Sequence, residues 1–179
     1  ILARSPTDES VEALLNVLRV DPEKLVRNTA GEALARIGKP ALPFLIESLH
    51  TGQDHVRTQV IWVLSEMQDP ESIPLLLTIA TDEASPFAGR AIEAVYKFGE
   101  AAIDPCLNIL KSDSRIVARE RAAYMLGRID SPASTQGLAY IFLTEQNDRL
   151  RMICLQSLHR HDDPKLCDLI LNAITDPNP

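Results

Sequence analysis

The sequence is short of the residues that usually announce chemistry. Aromatics make up only 4% of its 179 residues, with a single Trp. Seven glycines are scattered singly, so neither a phosphate-cradling loop nor a dinucleotide fingerprint can be assembled, and no nucleophile motif appears. Three cysteines, Cys106, Cys154 and Cys167, are an odd number without CxxC spacing. That disfavours a disulfide framework and points to a reducing, cytoplasmic compartment. Lys and Arg number 18 against 25 Asp and Glu, a net charge of −7. Nonspecific binding to nucleic acid or to an anionic membrane, which needs surplus cations, is therefore not expected. No apolar run approaches the length of a membrane span, and neither a signal nor a transit segment is visible.

What the chain has in abundance is Ala and Leu, both strong helix formers, and a period. Leu14, Leu45, Leu76, Leu107, Leu138 and Leu169 are each 31 residues apart. Pro43, Pro74 and Pro105 precede their leucines by two residues. A second series, "VRNTAGEALARIG", "VRTQVIWVLSEM", "FAGRAIEAVYKFG", "ARERAAYMLGRI" and "LRMICLQSLHRH", begins at Val26, Val56, Phe87, Ala118 and Leu150, in steps of 30 to 32 residues. Within each member apolar residues follow the stripe of an amphipathic helix. Each repeat thus holds two helices, A from this series and B from the leucine series.

The two prolines of "IGKPALPF" mark the boundary between them. Gly38, like Gly99, supplies the positive φ that a helix end favours. Pro40 falls in the connection, and Pro43 in the first turn of helix B, where its missing N–H would have no helical partner. Asp21-Pro22, Asp69-Pro70 and Asp163-Pro164 fit other helix starts. A helix pair of this kind cannot bury its apolar face alone, so stacked neighbours supply the core. The expected fold is all-α: a right-handed α-solenoid of about five two-helix repeats and eleven helices, spanning 1–179 as a single array, with A helices outside and B helices lining the concave side. The opening "ILAR" resembles "ALAR" near a helix end, and the closing "TDPNP" resembles "VDPEKLVR", so the array is expected to continue beyond both ends.

The alternation of "VRxxAxxALxxIG" with "xLPxLIxxL" resembles HEAT repeats, and the short period looks most like the HEAT-like repeats named after phycobilisome lyases. The likeness is clearest over Asp21 to Leu110 and blurs after Ser131, where Gln136 and Cys167 take the proline position. The resemblance implies an Asp–Arg hydrogen-bonded ladder between successive repeats. Arg27, Arg57, Arg119 and Arg151 occupy the Arg phase, with Asp21 and Asp113 six residues before Arg27 and Arg119. The third repeat departs from it, with Ala88 in the Arg position and Arg90 nearby.

Candidate chemistry is thin. "HRHDDPKLC", His159 to Cys167, gathers possible metal ligands, but His159 and His161 are two residues apart and would point to different sides of a helix. A polar inter-helix turn fits better. HEAT-type deoxyhypusine hydroxylase relies on His-Glu pairs, and the chain has none. HEAT-like DNA glycosylases need a basic groove; the charge has the wrong sign and Trp62 falls at core spacing. Cys106 opens a B helix, where the dipole would favour a thiolate, yet it adjoins the Leu107 core phase, which favours a buried, inert thiol.

The polar B-helix positions Glu47, Thr78, Asn108, Lys111, Gln136 and Tyr140 remain, on faces away from the leucine stripe. They are the candidate partner-binding residues of a non-enzymatic, cofactor-free scaffold that binds another protein on its concave face. The alternative is a bilin lyase-type subunit or phycobilisome-associated factor, handling a linear tetrapyrrole and a phycobiliprotein, with Tyr140, Phe142 and Asp168 contributing part of a bilin site. Exposed end repeats could also drive self-association.

Overall fold

The leucine period reappears as a burial period. In the computed structural model, which describes residues 8–161, Leu14, Leu45, Leu76 and Leu138 are buried and Leu107 is half-buried. Leu169, Asp163-Pro164, Cys167, Asp168 and the expected eleventh helix lie outside the described residues. Those residues form ten α-helices and no strand: α1 (Asp8–Val20), α2 (Lys24–Ile37), α3 (Leu42–Thr51), α4 (Asp54–Met67), α5 (Ile73–Thr81), α6 (Ala88–Tyr96), α7 (Ile103–Ser112), α8 (Ile116–Leu126), α9 (Pro132–Thr144) and α10 (Asp148–Leu158). The even-numbered helices are the A series and the odd-numbered the B series. This is the all-α fold of a helical-repeat solenoid. None of these helices is long and apolar enough to cross a membrane.

Each A-to-B boundary has a local cause. Lys39–Ala41, Pro70–Ser72 and Gly99–Ala102 are short 3-10 turns leading into α3, α5 and α7. Pro40 sits inside the first of them, and Pro43 is the second residue of α3, as the sequence predicts. Gly38 and Gly99 adopt φ of +73° and +56°. Gln68 holds the same place in the second repeat at φ +55°, a left-handed conformation that costs a side-chain-bearing residue about 1 kcal/mol. Its amide donates to the Ser65 carbonyl, satisfying one of the helix-end acceptors that a glycine would leave to water. Asp21 and Asp69 each accept a hydrogen bond from the N–H two residues on, Glu23 at 2.9 Å and Glu71 at 3.0 Å.

The chain divides into two compact units, Ile1–Leu76 and Leu77–Pro179, with the boundary inside α5. In the first, α1 pairs with α2, α3 pairs with α4, and α2 packs on α4. Leu15, Leu18, Leu34, Leu45, Ile61 and Leu64 are fully buried there, each contributing about 1.5–3 kcal/mol of transfer free energy. The α2–α4 approach is close: a Cβ on Gly31 would lie 2.5 Å from the Trp62 ring. Trp62 is half-buried rather than a core residue, although one edge of its ring fills the notch left by Gly31. Val26, which starts the A series, is exposed on the first turn of α2.

In the second unit α7 pairs with α8, α9 pairs with α10, and α8 packs against both α6 and α10. Its core is richer in alanine, with Ala91, Ala94, Ala118, Ala122 and Ala123 buried beside Leu110, Leu126, Leu138 and Leu150. Short side chains let helix axes come close, and at Gly127 the approach is to the neighbouring backbone. A Cβ there would lie 2.5 Å from the Ser157 Cβ and 2.9 Å from its Cα.

Candidate protein-binding surface

The arginine series is positioned by the turns between B and A helices. Carbonyls at a helix C-terminus have no intrahelical donor and carry the negative end of the helix dipole. Arg27 of α2 donates from Nη1 to the Asp21 carbonyl at 2.7 Å and the Pro22 carbonyl at 2.9 Å. Arg57 of α4 donates to the His50 carbonyl at 2.9 Å, and Arg119 of α8 to the Leu110 carbonyl at 2.8 Å. The arginines therefore join successive repeats, but through main-chain oxygens. Here the expected Asp–Arg ladder needs correction: the Asp21 carboxylate is taken by Glu23 N–H, and the Asp113 carboxylate by Arg115. Local donors two residues away reach these carboxylates first. The same Arg115 contacts hold the Asp113 carboxyl below the usual carboxylate range.

Arg119 also pairs with Glu145 beyond α9, tying three helices together. Arg151 departs from the series: its nearest carboxylate is Asp148 on its own helix at 3.5 Å, and its guanidinium lies 5.8 Å from the Phe142 ring centroid. In the third repeat Arg90 does not replace the missing arginine, since it pairs with Glu93 on the same helix. The replacement comes from one repeat later. Arg121 of α8 donates to the Ala80 carbonyl at 2.9 Å and the Asp82 carbonyl at 2.8 Å, satisfying the end of α5 that Ala88 leaves unserved.

An open cleft of about 330 Å³ lies between α1 and α3 in the first unit, lined by Glu12, Leu15, Asn16, Arg19, Phe44 and Glu47. A second, of about 490 Å³, adjoins it near the ends of the same helices and shares Arg19 and Glu47. Arg19 is held in place by a 3.0 Å hydrogen bond to the buried Ser48 hydroxyl, and its carbonyl meets His55 Nε2 at 3.1 Å. Glu12 and Glu47 are exposed, and among the described residues no ion pair engages either carboxylate. Val20 at the rim is 69% exposed.

The repeat pattern and its geometry agree with a family match: the profile of HEAT repeats covers residues 11–96. Residues 11–96 match HEAT repeats. No curated protein sequence matches it. Among solved structures, a chain from the complex of CpcE and CpcF of phycocyanin lyase from Nostoc sp. PCC7120 shares the fold. It is 17% identical, with 84% of this chain and 99% of that chain covered and a TM-score of 0.52. Human deoxyhypusine hydroxylase in complex with glycerol is 21% identical over 98% of this chain and 71% of that one, at a TM-score of 0.45. An engineered protein is 17% identical over 89% and 86%, at 0.40.

The six candidate residues fall on odd-numbered helices, Glu47 on α3, Thr78 on α5, Asn108 and Lys111 on α7, and Gln136 and Tyr140 on α9; all six are exposed. Glu47 is brought into the clefts described above, beside Glu12, Arg19 and Phe44, which periodicity alone does not single out. Tyr140 and Phe142, two residues apart on α9, differ in surroundings: Tyr140 is 57% exposed, while Phe142 is half-buried beside Arg151. Cys106 and Cys154 are buried, and burial pushes both thiols up to about 12, so neither is a nucleophile. His159 is exposed at the end of α10, whereas His161 is buried and shares a 2.7 Å hydrogen bond between Nδ1 and the Thr135 hydroxyl. Among the described residues no group of three His, Cys, Asp or Glu side chains could hold a metal ion.

Proposed function

We propose that the chain is a non-enzymatic, cofactor-free HEAT-repeat scaffold that binds another protein through the exposed face of its odd-numbered helices. The observation that carries this reading is the paired cleft on α1 and α3. Two carboxylates without ion-pair partners, Glu12 and Glu47, flank the half-buried Phe44 and an arginine already anchored on Ser48. Such a surface suits a partner segment bearing Lys or Arg beside an apolar side chain, with the anchored Arg19 excluding a second cation from its own end. Thr78, Asn108, Lys111, Gln136 and Tyr140 are the exposed candidates on the odd-numbered helices of the second unit, and the 31-residue period running through both units supports treating 1–179 as one array. The phycocyanin lyase chain that shares the fold is itself found in a two-protein complex, which favours a protein partner as the occupant. A cytoplasmic setting goes with the reduced, buried cysteines.

The test is affinity capture by the wild-type chain and by Glu47→Arg, with circular dichroism showing that both are folded. A stoichiometric protein retained by the wild type and lost by the variant is expected. A partner held equally by both would remove the cleft from the binding surface. A coloured eluate with a bilin absorption band would overturn the cofactor-free reading in favour of tetrapyrrole handling.

A further inference from the structure

The second unit carries a groove of a different kind, on its even-numbered helices. It holds about 250 Å³ and is lined by Ile92 of α6, Glu120, Arg121 and Tyr124 of α8, and Ile153 of α10, with Arg160 just beyond that helix. Glu120 is only 7% exposed, and its carboxylate is matched by Arg149 at 2.9 Å. That leaves two guanidinium groups at the groove without an acidic partner among the described residues. Both are held in advance. Arg121 is fixed by the Ala80 and Asp82 carbonyls, and Arg160 lies 5.0 Å from the Tyr124 ring centroid. A guanidinium resting on an aromatic face has already lost much of its rotamer freedom, so pairing it with a carboxylate costs less entropy than pairing a free side chain.

The geometry points to a docking site for an acidic peptide segment of a partner protein, with an aliphatic side chain between Ile92 and Ile153 and carboxylates on Arg121 and Arg160. The argument for this occupant is charge complementarity. In a chain of net charge −7, an acidic peptide is repelled by the molecule as a whole, so binding depends on this local surplus of cations. Carboxylate and guanidinium can meet through two parallel hydrogen bonds, which fixes the direction of the segment as well as its charge. The volume admits one or two aliphatic side chains, so a short motif is the appropriate partner rather than a broad face. This site is independent of the α1–α3 clefts and stands whether or not those bind a protein.

The experiment uses the full chain and a fluorescein-labelled peptide in which Glu and Leu alternate, read by fluorescence polarisation. Saturable binding is expected, weakening several-fold between 50 and 300 mM salt as the ion pairs are screened. Arg160→Glu should lower affinity at least ten-fold and Arg160→Gln by a smaller factor, with unchanged circular dichroism. Lys24→Glu, on α2 and outside every cleft described, changes the net charge as Arg160→Glu does and should leave the affinity as it is. Four results would overturn the proposal: no saturable binding, equal binding of the peptide with Lys in place of Glu, full displacement by a single-stranded oligonucleotide, or indifference to both Arg160 variants.

Discussion

The two units solve the same packing problem with different atoms. Each must bring neighbouring A helices close, and each places a glycine at such an approach. In the first unit Gly31 lies in the middle of α2 and faces the ring of Trp62, a side chain that can swing. In the second, Gly127 lies just past α8 and faces the Cβ and Cα of Ser157, which belong to α10 itself. The first contact is a side chain filling a notch; the second is one helix resting on another. A repeat sequence therefore constrains how far apart its helices stand without dictating which atoms set the distance.

That contrast can be broken experimentally, and the largest effect is expected where the neighbour cannot yield. Gly127→Ala forces α10 away from α8 and should destabilise the protein by about 2–3 kcal/mol, measured by urea denaturation. A loss below about 0.5 kcal/mol would mean that the second unit is as compliant as the first. Next comes Glu145, which ties α8 to the α9–α10 turn. Its carboxyl is held below the ordinary range, first by the Asn147 N–H and then by Arg119. A carboxyl depressed in the folded state contributes fully above its unfolded value, near 4.3, and loses that contribution as pH falls through the lower folded value. Glu145→Gln should therefore cost about 1–2 kcal/mol at pH 7, and the difference from wild type should shrink steadily below pH 4.

Gly31→Ala should have a smaller effect. The helix gains about 1 kcal/mol of propensity while the Trp62 ring is displaced, leaving a net loss of about 1 kcal/mol. Because Trp62 is the single Trp, its emission maximum should shift to the red with the ring's exposure. An unshifted spectrum would show that the ring does not depend on the notch. The smallest change is expected at Gln68→Gly. Removing the left-handed strain and losing the amide bond to Ser65 should nearly offset each other, within about 0.5 kcal/mol of wild type by thermal melting.

What the sequence made legible follows from periodicity. Burial repeats every 31 residues, so the buried leucines, the proline-marked helix starts, the positive φ of Gly38 and Gly99 and the covered Cys106 can all be read from it. Two kinds of feature escaped. Gln68 takes a glycine's conformation without being a glycine, since its side chain compensates locally. Arg121 serves the end of α5 from a position outside the arginine phase, and a pattern search confined to one phase passes over it. The clefts escaped for a further reason. Glu12, Arg19, Phe44 and Glu47 meet because of the offset between α1 and α3, and that offset depends on packing rather than on the spacing of any one residue type.

The arginine contacts carry a consequence for how such a chain can change. Asp21, His50 and Leu110 are an acid, an imidazole and a hydrocarbon, yet all three serve the same role, because each offers only its peptide oxygen. A joint whose receiving half is written in the backbone is indifferent to substitution there. Asp21 and His50, which lie outside the core, can change side chain without losing the joint, Leu110 is constrained by its burial and not by the arginine, and a repeat excised from one place and spliced into another brings its acceptor with it. Only the arginine must be retained, and even that can be supplied from the next repeat along.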